Sequence, residues 1–118
     1  MKLVTYLLPC MLAFSAFSTS NNPQEAGKQA YSLLNTYLLS IYPGFDMVGL
    51  HVKEIVTPSQ EQFSQHVNFI KDSTDDHPLN ASINEKTVAY LVVIANDRGS
   101  IVVALNDQFE LLGLAESP

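Results

Sequence analysis

The side chains able to do chemistry are few in this chain and lie far apart. His51, His66 and His77 are the histidines. None pairs with another in a His-x-x-x-His arrangement, the spacing by which a helix presents paired imidazoles to zinc. His51 falls on the outer face of a strand pattern and His66 beside the apolar stripe of a helical one, as boundary histidines do. The run KDSTDDH (71–77) brings Asp72, Asp75 and Asp76 together, and a hard cation such as calcium is the ligand that such carboxylates suit. The run lacks the alternate ligand positions, turn glycine and closing glutamate of a calcium loop, so it reads as a solvated acidic loop. Cys10 is the one thiol. Ser59, Ser64, Ser73, Ser82 and Ser100 all lie outside a Gly-x-Ser-x-Gly elbow and fit caps, a helix surface and turns. Glu54 is the best single acid, because it interrupts an inward-facing apolar set. General acid–base work would need a second carboxyl in the same cleft. The sequence therefore assigns no catalytic residue, no cofactor site and no metal site, and a non-enzyme is expected.

The elements that would position these residues begin after a leader. MKLVTYLLPCMLAFSAFSTS (1–20) has a charged start, an apolar run from Leu3 to Phe17 and a small polar end, the layout of a secretory signal. The run falls short of the roughly 20 apolar residues that cross a bilayer, so cleavage is favoured over retention as an anchor. Residues 21–118 form the expected single small domain, free of cysteine, which suits a bacterial envelope protein better than a disulfide-stapled secreted one. That part keeps five Lys/Arg against twelve Asp/Glu. Its cations are scattered, so nucleic acid and anionic lipid are poor partners and no membrane insertion is expected after cleavage. Asn80-Ala81-Ser82 matches a glycosylation triplet, a pattern that chance often supplies.

Asn22-Pro23-Gln24-Glu25 reads as a helix start, with a cap, a proline at the first position and a glutamate placed for a capping box. Ala26, Ala30, Leu33, Leu34, Tyr37, Leu38 and Ile41 then follow helical spacing, and YPGF (42–45) stops it. Residues 46–56 switch to period two, with Val48, Leu50, Val52 and Val56 on one face. Thr57-Pro58 with Gln60 predicts a second helix start, and Phe63, Val67 and Ile70 give that helix a narrow stripe. Residues 72–82 read as a mobile loop.

The final third, TVAYLVVIANDRGSIVVALNDQFELLGL (87–114), is apolar at almost every position outside two polar turns. It predicts a three-stranded meander turning at NDRG and at Asn106-Asp107. Val93 then faces Val102 and Ile94 faces Ile101, while a two-residue second turn pairs Ala104 with Phe109 and Val102 with Leu111. One face collects Ala89, Leu91, Val93, Ala95, Val102, Ala104, Phe109, Leu111 and Gly113, with no charge and many small residues. The other is bulky: Tyr90, Val92, Ile94, Ile101, Val103, Leu105, Leu112 and Leu114. Two apolar faces need two layers of cover.

The expected fold is therefore α+β, with an N-terminal helix packed on a curved antiparallel sheet in the order α-β-α-β-β-β. The first helix can cover one sheet face, and the second is too narrow to cover the other alone. Tyr90, Val92, Ile94, Ile101, Val103, Leu105 and Leu112 thus form the expected face for a partner or ligand. The function expected is that of a small exported protein, periplasmic or extracellular, that binds another protein or a second copy of itself in an accessory, co-sensor, inhibitor or secretion-helper role. The alternative is a carrier or sensor of a small apolar ligand held between helix and sheet, with Tyr37, Tyr42, Tyr90 and His51 as polar contacts.

Overall fold

The structure, a computed structural model, describes residues 22–117; the leader expected at 1–20, with Cys10, lies outside the described residues. Helix α1 spans Pro23–Ile41. Asn22 starts it by accepting the backbone N–H groups of Gln24 at 3.0 Å and Glu25 at 3.3 Å, two of the donors that a helix start leaves without partners. Glu25 does not reach back to the cap; its carboxylate accepts from the Gln29 amide at 3.0 Å. Ala26, Ala30, Leu34 and Leu38, four residues apart, form the buried stripe.

Strand β1, His51–Val56, is shorter than the 46–56 pattern predicts. Asp46 accepts the Val48 N–H at 2.9 Å, and the Asn96 side-chain amide donates to the carbonyls of Asp46 and Val48. Polar side chains thus satisfy this backbone in place of a ladder, Gly49 turns it at φ 78°, and Val48 is 81 % exposed rather than inward. The Thr57 device also differs from expectation. Gln60 Oε1 accepts the Thr57 N–H at 2.8 Å, yet this closes a turn, and helix α2 starts later, at Phe63–Asp72. A 3-10 helix, Pro78–Ser82, follows. Residues 72–82 are therefore folded onto the domain, where the composition predicts a mobile loop.

Strands β2 (Tyr90–Asn96), β3 (Gly99–Leu105) and β4 (Leu111–Ser117) complete an antiparallel sheet ordered β1-β2-β3-β4. Val93 pairs with Val102 and Ile94 with Ile101, the register that the NDRG turn implies. The next pairing departs from expectation: Ala104 faces Gly113 and Val102 faces Ala115. Asn106 is the reason. Its Oδ1 accepts the N–H groups of Gln108 and Glu110 at 2.9 Å, and Phe109 takes φ 63°, so the turn consumes residues 106–110. A bulge at Ala104/Leu105 then places Leu111 with Leu105. Phe109 and Leu111 move to the bulky face, and Leu112 moves off it.

Both faces of the sheet are covered by this chain. Helix α1 lies on Tyr90, Val92, Ile94, Ile101, Val103, Leu105 and Leu114, where full burial stabilises each large aliphatic side chain by about 1.5–3 kcal/mol. Helix α2 brings Phe63, Val67 and Ile70 onto Leu91, Val93, Val102, Ala104 and Ala115, with Val56, Ile83 and Val88 at the margin. The bulky face therefore needs no outside cover. The small residues serve the α2 side, where a Cβ on Gly113 would stand 2.8 Å from Asn80 Oδ1 and 3.1 Å from Ile70 Cγ2. Among the described residues no helix is long and apolar enough to cross a membrane.

Candidate functional site

A flat sheet has two outer strands, each with a row of backbone groups that need partners. At β4 the chain supplies them itself. Asn80, fully buried, accepts the Leu114 N–H at 3.0 Å and donates to the Leu114 carbonyl at 2.8 Å and the Ser73 carbonyl at 2.7 Å. Asp76 Oδ2 accepts the Glu116 N–H at 3.0 Å and the Tyr42 hydroxyl at 3.0 Å. Residues 76 and 80 thus do on alternate positions of β4 what a fifth strand would do. The same bonds close the glycosylation triplet: the Asn80 amide is inaccessible in the folded chain. Burial, the Asp76 hydrogen bond and the charges of Asp76 and Glu116 push the Tyr42 hydroxyl well above its ordinary pKa. Burial, then the charge of Asp107, raises that of Tyr90.

Strand β1 has a neighbour on one side only, and among the described residues no hydrogen bond from another element reaches the outer backbone of Val52–Val56. A bulge between Val52 and Glu54 shapes this edge. Its extra residue puts Lys53 and Glu54 together on the α2 side, while Val52 and Ile55 both face α1. Beside Val52 and Ile55 runs a groove of about 560 Å³ floored by Gly27 and walled by Gln24, Lys28 and Tyr31 of α1. On the opposite face a trough of about 360 Å³ brings Lys53, Glu54, His66 and Ser100 against Val93 and Val102.

The trough unites three groups that the sequence left apart: Glu54, His66 and Ser100. It does not couple them. The Glu54 carboxylate accepts from the Gln62 amide at 3.0 Å, and among the described residues His66 bonds to neither of the others. A nucleophile and base within hydrogen-bond reach is the arrangement that covalent catalysis needs, and it is not present in this trough. Asp72 and Asp75 are exposed, Asp76 is held by Tyr42, and among the described residues no three His, Cys, Asp or Glu side chains gather as a metal ion would require.

The face proposed for a partner is interior. Tyr90, Val92, Ile94, Ile101, Val103 and Leu105 are all at most 4 % exposed beneath α1. Leu112 lies half-buried on the opposite side. Nor does the gap that α1 and the sheet enclose between Leu33, Leu34, Ile41, Val103, Leu111 and Leu114 suit a ligand; at about 10 Å³ it holds no more than a water. Of the polar contacts expected there, Tyr42 is engaged by Asp76, the Tyr90 ring lies 5.7 Å from that of Phe109, and His51 Nδ1 donates to the Gly49 carbonyl at 3.0 Å. The described side chains do not include Tyr37. The open edge carried one sequence signal, a Lys-Glu pair inserted between Val52 and Ile55 against the period-two pattern, which marks the bulge. No family model matches the chain, and neither a curated protein nor a solved structure matches it.

Proposed function

We propose that this is a small exported protein without catalysis, which acts by binding another polypeptide in an accessory, co-sensor, inhibitor or secretion-helper role. Its docking surface is the outer edge of β1 with the groove beside it, and a strand of the partner extends the sheet there. Main-chain hydrogen bonds supply affinity in such additions, and alternate side chains enter pockets on either face. Here those pockets would be the α1 groove on one face and the Lys53/Glu54 trough on the other. A single contrast supports the reading: Asn80 and Asp76 close the edge of β4, while that of β1 stays open among the described residues. The carrier alternative needs an enclosed apolar space, and the gap under α1 is too small.

Photo-crosslinking in producing cells tests the proposal. A photoreactive residue at Lys53 should give a discrete adduct containing a second polypeptide. The same probe at Gln108, exposed on the β3–β4 turn, should not. Adducts of equal yield at both positions, or none at Lys53, refute it.

A further inference from the structure

The edge has a charge order that selects an occupant. Lys53 and Glu54 are adjacent, exposed and turned to the same side of the sheet. Neither belongs to an ion pair among the described residues, where the salt bridge is that of Arg98 with Asp46. Among the described residues Glu54 accepts from the neutral Gln62 amide alone. Val52 and Ile55, flanking them, both face α1. Reversing the order Val52-Lys53-Glu54-Ile55 gives Ile-Glu-Lys-Val, which is apolar, anionic, cationic, apolar. The segment is therefore complementary to its own reverse.

Building on the edge reading above, we infer that the strand received by β1 is β1 of a second copy, antiparallel about a twofold axis between residues 53 and 54. Lys53 of each copy then faces Glu54 of the other, and Val52 faces Ile55. The bulge does not spoil this match, since the axis sets bulge against bulge and each face meets its own kind: charge on the α2 side, aliphatic on the α1 side. An isologous interface requires this self-complementarity. A parallel copy related by a twofold axis along the strand would turn the two sheets' faces opposite ways, setting the charged side of one copy level with the aliphatic side of the other. The product is a continuous eight-stranded sheet with closed β4 edges at both ends. The two α1 grooves run together over Val52 and Ile55 of both copies.

Charge reversal tests the register. The whole protein, as recovered after export, should dimerise in sedimentation and native mass spectrometry. Lys53→Glu should weaken the dimer at least about tenfold, since both symmetric contacts turn from attraction to repulsion, and Glu54→Lys should do likewise. The double variant K53E/E54K should recover most of the loss, because the charges again face their opposites. Both positions are exposed, so each variant should keep its fold, checked by its melting curve. A dimer indifferent to K53E, or one that the double variant fails to restore, overturns the inference. So does a strict monomer. A monomer in which Lys53 still crosslinks to a different polypeptide overturns the second copy while keeping the edge reading. A monomer with no such adduct removes both.

Discussion

Truncating Asn80 should cost far more than removing an ordinary loop residue. Its amide makes three hydrogen bonds of 2.7, 2.8 and 3.0 Å in a fully buried position. In Asn80→Ala both backbone groups of Leu114 lose their partners at once, while the Ser73 carbonyl keeps the Asp76 N–H at 3.0 Å. Each buried group left unsatisfied costs about 1–3 kcal/mol, and a water entering the vacated space would recover part of that. The expected destabilisation is about 3–5 kcal/mol, a fall in melting temperature of roughly 15 °C or more for a domain of this size. Asn80→Asp should be worse than alanine at neutral pH, since a carboxylate oxygen would face two carbonyls in place of an amide donor. Urea titration gives the free energies, and hydrogen exchange at the Leu114 amide reports the local bond. If Asn80→Ala loses less than about 1 kcal/mol while that amide stays protected, the account of the β4 edge is wrong.

Other consequences follow from the same contacts. Gly113→Ala should destabilise by about 1–3 kcal/mol, because the new methyl overlaps Asn80 and Ile70 in a packed interior; an unchanged urea midpoint would show that the strand shifts freely. Leu38→Ala should cost about 2–5 kcal/mol, as in a true core, whereas a loss below about 1 kcal/mol would mean that α1 covers the bulky face only loosely. The Tyr42 hydroxyl is held protonated in the folded state, so its contribution is complete below the ordinary tyrosine value of about 10. It is lost as pH rises from there towards the higher folded value. Urea midpoints should therefore fall on alkalinisation, less steeply in Tyr42→Phe, with a remaining slope from Tyr90. Identical alkaline slopes in the two proteins would contradict the burial of that hydroxyl.

The α+β class, the cap at Asn22 and the Val93–Val102 register were legible because each rests on local rules: capping chemistry, periodicity and turn residues. What was illegible depends on contacts distant in sequence. Asn106 recruits backbone groups up to Glu110, which lengthens one turn and moves Phe109, Leu111 and Leu112 to other faces. Asn80 looked like a loop residue because its partner, Leu114, lies 34 positions on. The partner face was misplaced because the apolar pattern of a strand demands cover without stating which element provides it. Only the packing of α1, small along Ala26 and Ala30, decides that. The edge of β1 had a faint trace in the Lys53-Glu54 insertion, but its openness is a property of sheet order, which periodicity does not encode.

The central claim is that β1 is the edge through which this protein associates, and residue-resolved hydrogen exchange tests it most directly. In dilute protein the outward amides within Val52–Val56 should exchange fast, while those of Leu114 and Glu116, held by Asn80 and Asp76, exchange slowly. On association, whether by raising the concentration or by adding a partner recovered through crosslinking, the β1 amides should become protected and the β4 amides should not change. Protection that appears at β4, or association that leaves the β1 amides exposed, would contradict the account.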